Sequence, residues 1–493
     1  MKELKFNDLK KALKNGAKGY SIWIIDTQGV SAIYKIGALK YLTELGFYKK
    51  KIGADSFLFY RKVGHIITQY SPLEIREIVF ESLFHEPLNY EVDFGASKIT
   101  IEHEQLEEVF RRNQDNIFNH NNLTSLEELP FKIARDNKNE AFVPFKNTVV
   151  KITKENITAL KYDELDNMVF YSTQIIERDF EYCSDWKDCM YASFIKNIAD
   201  DIKERKDSLR SAIGYLLHRY NDVTTSQAVI LYDEVMTGKS TPEGGTGKGV
   251  FVQAIRKLVK GFVPINGKSI KATSQFAYQQ IKPDTSVVHI DDVSSKFDID
   301  DLNSVLSEGL NVEKKFKDVM ELPKEETPKF ILSSNIILSY EGSTRERRQY
   351  ILQISSFYRD KLKQGVAKPI VEEHGAEFFS EDWDKEEWNK FYSFMLNCIK
   401  YYLIHGLVKT PPLNFKKNAF IQKYGIDIYL YFEQLSFTSN QEYSTKEMYG
   451  QYIDYDESLE IKQRGFTNAL KTYLEDNKIK YELMQKGGIK ILL

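Results

Sequence analysis

The chain reads as an α/β protein with a parallel sheet built around a glycine-rich phosphate loop, and three segments predict it. The first is the apolar run Ala228-Val229-Ile230-Leu231-Tyr232, which reads as a buried strand. It leads into Thr241-Pro242-Glu243-Gly244-Gly245-Thr246-Gly247-Lys248-Gly249, and then into Val250 to Val259, whose apolar residues recur at helical spacing. Strand, glycine loop and helix is the setting a phosphate loop needs. The second segment, Val287-Val288-His289-Ile290-Asp291-Asp292-Val293, is an apolar strand ending in two carboxylates. The third, Pro328-Lys329-Phe330-Ile331-Leu332-Ser333-Ser334-Asn335, is a strand with a polar cap.

At 493 residues the chain is long enough for three or four domains, and 42% hydrophobic content supports large cores. Net charge is -3, so no global basic field advertises nucleic acid; any such contact must come from local lysine clusters. Cys183, Cys189 and Cys398 have no metal-ligand spacing and read as reduced structural thiols. Met1-Lys2-Glu3-Leu4-Lys5 opens no signal peptide and no apolar stretch approaches a membrane span, so a cytoplasmic location in a bacterial host is expected.

Residues 1–95 read as a small α+β domain. Ser56 to Tyr60 and His65 to Tyr70 are paired strands around Gly64, and Ser71-Pro72-Leu73-Glu74 opens a helix with a capping box. Lys49-Lys50-Lys51 reads as a solvated turn, with a DNA contact as the other reading. Residues 96–220 are a mixed, collar-like region with two short strands in 142–152 and an amphipathic helix from Ser208 to Tyr220. The core spans 221–365. A helical extension, 366–412, carries the aromatic-rich piece Trp383 to Tyr402. Residues 413–493 read as a winged helix: a capping box at Ser444-Thr445-Lys446-Glu447, a second helix from Phe466 to Asn477, and two strands around Lys486-Gly487-Gly488. Its candidate cations are Lys462, Arg464, Lys471 and Lys478; DNA contact and protein docking both remain open for it.

The chemistry follows from residue type and place. Gly244, Gly245, Thr246, Gly247, Lys248 and Gly249 are the phosphate-binding residues. Glycines let backbone amides face a polyphosphate, the helix N-terminus adds partial positive charge, and Lys248 neutralises the terminal phosphates. Asp291 is placed to hold Mg²⁺ through water, and Asp292 to orient or deprotonate an attacking water. His289 lies inside the strand and reads as packed. Asn335 can donate to a γ-phosphate or position the water. Arg345, Arg347 and Arg348 lie at the mouth of the strand Tyr350 to Ile354, where an arginine finger or ordinary surface cations would both fit. Leu310 to Asp318 suits a hairpin whose lysines touch a nucleic-acid backbone, or else a solvated edge strand. Asp298-Ile299-Asp300-Asp301 reads as an N-cap cluster.

These segments follow one another in an order that resembles the superfamily 3 helicases, AAA+-like motors of small viruses, phages and plasmids. Gly244-Gly245-Thr246-Gly247-Lys248 is followed by Ile290-Asp291-Asp292, Val312-Glu313-Lys314-Lys315-Phe316-Lys317, Ser333-Ser334-Asn335 and the arginine-rich segment. Upstream lie Ile213-Gly214-Tyr215-Leu216-Leu217-His218 and Tyr232-Asp233-Glu234, as in the helicase part of phage and plasmid primase-helicases. The likeness covers roughly residues 205–405. It implies an AAA+-like ATPase core in a homo-hexameric ring that hydrolyses ATP with Mg²⁺ at subunit interfaces, around single-stranded or forked DNA. Carried over by position, Lys248 binds phosphate, Asp291 and Asp292 form the acidic pair, and Asn335 is the polar sensor. Lys315 and Lys317, with Lys314 beside them, match the hairpin lysines that touch DNA, and Arg348 matches the finger, with Arg347 second. Two departures stand out: Gly249 removes the hydroxyl that usually ligates Mg²⁺, and Asp292 replaces the commoner Glu. No primase signature is present, so a separate primase is a further expected partner. The expected function is ATP-dependent DNA unwinding for replication of a mobile element. The alternative is a nucleotide-binding initiator or regulatory DNA-binding protein without robust motor activity.

Overall fold

The computed structural model describes residues 22–493 apart from 27–28, 53–55, 87–89, 94–97, 223, 225, 236–243, 272, 275, 295–296, 314–318, 339–346, 456–460, 485–487 and 493. In the N-terminal part, strands Phe47–Lys51, Phe57–Val63 and Ile66–Tyr70 form an antiparallel meander. The lysine run expected as a turn belongs to the first strand. Two of its charges have partners: Lys49 Nζ donates to Thr124 O at 2.6 Å and Lys50 Nζ to Tyr171 Oη at 2.9 Å. The sheet is completed from beyond residue 95 by Met168–Tyr171, parallel to Ile66–Tyr70, and by Lys132–Ile133. Those two strands cover the edge that Ile66–Tyr70 would otherwise leave open. A second antiparallel meander, Glu140–Pro144, Val149–Thr153 and Ile157–Leu160, follows.

The core comprises helix α1 (Lys203–Leu217), strand β1 (Ala228–Asp233), helix α2 (Lys248–Leu258), strands β2 (Phe262–Asn266) and β3 (Val287–Asp291), hairpin strands β4 (Leu310–Val312) and β5 (Met320–Leu322), and strands β6 (Lys329–Ser333) and β7 (Gln349–Ile354). A five-stranded sheet has the order β2-β3-β6-β1-β7, and all its pairs are parallel. Every residue of β1 and β6 is buried, and their centres read as apolar runs between polar ends. β2 lies at an edge and holds Pro264, which an edge strand tolerates. Late in the chain, β6 inserts between β1 and β3. The carboxyl ends of these three strands are thereby neighbours.

Helix α3 (Lys385–His405) opens at Asp384, whose side chain accepts from Glu387 N at 2.8 Å. Its buried Phe391, Met395 and Ile399 share one apolar cluster with Leu209, Ile213 and Leu216 of α1 and with Phe251 and Ile255 of α2. Each such fully buried side chain contributes about 1.5–3 kcal/mol. Beyond it lie helices Phe415–Tyr424 and Ile426–Glu433, then strand β8 (Glu442–Ser444), helices α4 (Thr445–Tyr455) and α5 (Gln463–Asp476), and strands β9 (Lys480–Leu483) and β10 (Gly488–Leu492). The last three strands form an antiparallel sheet, β8-β10-β9. Ser444 Oγ accepts from Glu447 N at 3.3 Å at the start of α4. Lys462, Arg464 and Lys478 are exposed around α5, and Lys471 is half-buried. Among the described residues no helix is long and apolar enough to cross a membrane.

Candidate functional site

β1 delivers Asp233 to the carboxyl edge of the sheet, and α2 begins at Lys248 beside it. Between them Gly245 and Gly247 hold φ of +89° and +107°, a region glycine enters without strain. A Cβ at Gly245 would also stand 2.5 Å from Leu362 Cδ1, and one at Gly247 3.0 Å from the Phe194 ring. Gly247 is the N-cap of α2 and offers no side chain to its first turn, which carries no acid either. The N–H groups there are left for an anion.

Lys248 Nζ is the centre of a network. It donates to Asp233 Oδ2 at 2.7 Å, to Asn335 Oδ1 at 2.7 Å and to Ser334 O at 3.3 Å. These use all three ammonium donors. Asp233 is 4% exposed, and its other oxygen accepts from Thr246 Oγ1 at 2.6 Å. Asn335 in turn donates through Nδ2 to Asp292 Oδ1 at 3.3 Å. The ends of β1, β6 and β3 thus meet through one lysine and one asparagine.

The two acids differ in setting. Asp291 has a 64% exposed side chain, with Oδ1 3.7 Å from His289 Nε2. Asp292 follows with φ +53°, a left-handed turn that aspartate tolerates better than most residues. Its Oδ2 lies 2.6 Å from Lys268 Nζ, and this carboxylate holds the lysine pKa above its usual value. The loop carrying Lys268 is pinned by a hydrogen bond from Gly267 N to Asp291 O at 2.6 Å; a Cβ at Gly267 would strike that same oxygen. His289 is packed, as expected: buried, with Nε2 2.7 Å from Ser333 Oγ. Burial lowers its pKa despite the pull of Asp291.

The donor set suits Mg²⁺ held together with a polyphosphate. Magnesium keeps most of its waters and needs only one or two carboxylates besides phosphate oxygens. Asp291 supplies the more exposed carboxylate. No hydroxyl stands at Gly249, and that of Thr246 is committed to Asp233. A side chain at Gly249 would meet no atom within 4 Å.

Arg348 and Arg347 lie elsewhere. Parallel pairing sets Gln349 beside Ala228, at the amino edge, and Arg348 Nη1 donates to Ser226 O at 3.2 Å. Arg347 O accepts from Gln227 Nε2 at 2.6 Å. A six-residue strand, about 17 Å, separates this edge from Lys248. Lys314, Lys315 and Lys317 fall outside the described residues; the flanking strands pair antiparallel, Leu310 with Leu322 and Val312 with Met320. Asp298 caps as expected, its Oδ1 accepting from Asp300 N at 3.0 Å.

Three contributors were given no site role by the sequence, although Asp233 and Glu234 belong to a segment that carries the resemblance. Asp233 carried a signal, an acid ending an apolar strand as in β3. Lys268 carried none. Glu234 takes Arg205 Nη1 at 2.9 Å, tying α1 to the loop strand, and its carbonyl accepts from Asn418 Nδ2 at 2.9 Å.

A family model described as a family of unknown function (DUF5906) matches residues 240–348, from the phosphate loop to Arg348. No curated protein matches the chain. Among solved structures, the A form apo structure of the NrS-1 C-terminal region is similar over 86% of this chain and 100% of its own, with 12% identity and a TM-score of 0.35. A second structure of that region, spanning its residues 305–718, gives 13% identity, the same coverages and a TM-score of 0.34. A JCV helicase with a bound thiazolopyridine acetamide is similar over 43% of this chain and 53% of its own, with 12% identity and a TM-score of 0.28.

Proposed function

We propose that this chain is an ATP-driven DNA helicase serving the replication of a phage, plasmid or other mobile element. The observation that supports it is the junction at Lys248, where a glycine loop, an uncapped helix N-terminus, a polar strand tip and an acidic strand tip meet. All three donors of Lys248 are taken, so a γ-phosphate oxygen enters by displacing a neutral acceptor, Ser334 O or Asn335 Oδ1, rather than Asp233. Displacement frees the Asn335 amide to turn toward the phosphate or a water. Asp292 stands one hydrogen bond away and takes the proton of that water. Mg²⁺ bound with the triphosphate would neutralise its charge, held on the protein side by Asp291.

The arginines at the amino edge cannot reach the loop of their own chain, which fits a finger acting on a neighbouring subunit. That role needs a neighbouring subunit, and the resemblance to superfamily 3 helicases makes the assembly a homo-hexameric ring, with Arg348 as the finger and Arg347 second. Lys314, Lys315 and Lys317 would face single-stranded or forked DNA in the ring, with a separate primase as partner. The test is ATP hydrolysis with and without single-stranded DNA, together with mixing of Arg348→Ala and Lys248→Ala proteins. DNA should stimulate turnover, and the mixture should recover activity that neither variant has. Turnover by a strict monomer at every concentration would defeat the ring.

A second reading is a nucleotide-binding initiator without robust motor activity. It is favoured by the missing hydroxyl at Gly249 and by Lys268 occupying Asp292. Tight ATP binding with negligible, DNA-independent turnover would select it.

A further inference from the structure

The far end of α2 carries a second charged surface. Arg256 and Lys257 lie in its last turn and Lys260 just beyond it. Together with Gln253 and Val259 they line a surface groove of about 400 Å³. Arg178 reaches the same place from the collar-like region: its guanidinium lies 4.0 Å from the centre of the Trp388 ring, and Lys257 Nζ lies 5.7 Å from that ring. Among the described residues none of the four cations makes an ion pair with a carboxylate.

Helix geometry accounts for part of this. Cations in a last turn complement the helix dipole, which explains Arg256 and Lys257. It does not explain Lys260, outside the helix, or Arg178, from another segment. Their mutual repulsion is felt at Lys257. Burial lowers its pKa first, and Lys260, Arg178 and Arg256 lower it further; every charge acting on it is positive. Uncompensated cations at this spacing repel within a Debye length, about 10 Å at 0.1 M salt, and a bound anion would relieve that repulsion.

We propose that this surface binds the phosphodiester backbone of a nucleic acid without reading its bases. Trp388 and Phe379, the rings beneath Lys257, are 4% and 8% exposed and already covered, so they cannot stack a base. Among the described residues Val259 is the only apolar one lining the groove, and it is itself buried, so those residues offer an acidic protein partner no pocket for an anchoring side chain. Gln253 and Arg256, three residues apart on α2, share one exposed face, and exposed Lys260 lines the same groove from beyond the helix end. The surface lies about 15 Å along α2 from Lys248. It therefore stands whether or not the loop hydrolyses nucleotide.

The test is salt-titrated fluorescence anisotropy of the full chain with labelled single-stranded and duplex DNA of unrelated sequences. The exposed double variant Arg256→Gln, Lys260→Gln should reduce the slope of log affinity against log salt by about 1.4 on single strands or about 1.8 on duplex, equally across sequences. Gln253→Arg, an added charge at an open position, should raise it by about 0.7 to 0.9. A change confined to one probe supports the proposal and tells which form is held. ATP turnover without DNA should be unaltered in both variants. Slopes unchanged in both variants would overturn the proposal. So would displacement of DNA by polyglutamate at lower charge concentration than by unlabelled DNA, since the surface would then belong to an acidic protein.

Discussion

The two edges of the core sheet both carry buried charge, and they handle it in opposite ways. At the amino edge Lys329 is fully enclosed. Its ammonium donates to Tyr215 O and His218 O at the end of α1 and sits 4.1 Å from the Tyr215 ring centre. Nearby, Asp136 accepts from Arg219 N and Nη2 and from Phe142 N. Burial alone would raise the Asp136 pKa; Arg219 and His218 bring it below its usual value. His218, donating to Asn137 O at 2.9 Å, is driven down to about 4, chiefly by burial. At the carboxyl edge the chain Asp233–Lys248–Asn335–Asp292 starts buried and ends in a half-exposed carboxylate beside an open glycine loop. Enclosed charges with carbonyl and carboxylate partners fasten elements together. A charge chain that runs out to solvent can exchange a partner for a ligand.

The largest contrast comes from removing one charge at each edge. Asp233→Asn leaves Lys248 buried without its counter-charge and should destabilise the fold by about 3–5 kcal/mol. It should also cut ATP turnover at least 100-fold. Lys329→Met gives up two carbonyl contacts but also a charge whose burial costs more than they return, and should be stabilising at neutral pH with turnover intact. Burial holds the Lys329 pKa at about 7 against an ordinary 10.5. Between those values the unfolded chain binds the proton and the folded chain does not, so wild-type stability rises with pH across the window. Melting curves of the two proteins from pH 7 to 10 should therefore converge. A constant gap would mean that Lys329 is not desolvated as described.

Asp292→Asn sharpens the functional half. It keeps the shape and one acceptor oxygen, gives up the ion pair with Lys268 and removes the base, so nucleotide binding should persist while turnover falls by about 10²–10⁴. Loss of binding instead would exchange the roles of Asp291 and Asp292. The smallest effect belongs to Gly249→Ser. The position is open, so the change should fold normally and raise turnover at low magnesium. An unaltered magnesium dependence would show that the site is complete without the hydroxyl.

Much of the carboxyl edge was legible in the sequence because local pattern and tertiary role coincide there. Buried strands such as β1 and β6 need continuous apolar runs, and their polar tips stand out against them. β2 was hidden because an edge strand accepts Pro264 and partial exposure, which erase the pattern. Lys49, Lys50 and Lys51 looked like a turn because a charge run hides partners distant in sequence, here Thr124 and Tyr171. Asp233 was visible as a strand-ending acid, but its pairing with Lys248 depends on how the loop folds back. Lys268 meets Asp292 only because β2 and β3 are neighbours and Gly267 lets their ends approach, and nothing local encodes that.

The central claim is that strand ends converging on Lys248 make a nucleotide-hydrolysing site. Steady-state ATP hydrolysis by the full chain and by Lys248→Ala, at saturating magnesium, tests it most directly. The account predicts measurable turnover in the wild type and a loss of at least 1000-fold in the variant, about 4 kcal/mol of transition-state stabilisation. Turnover by Lys248→Ala at the wild-type level would contradict it.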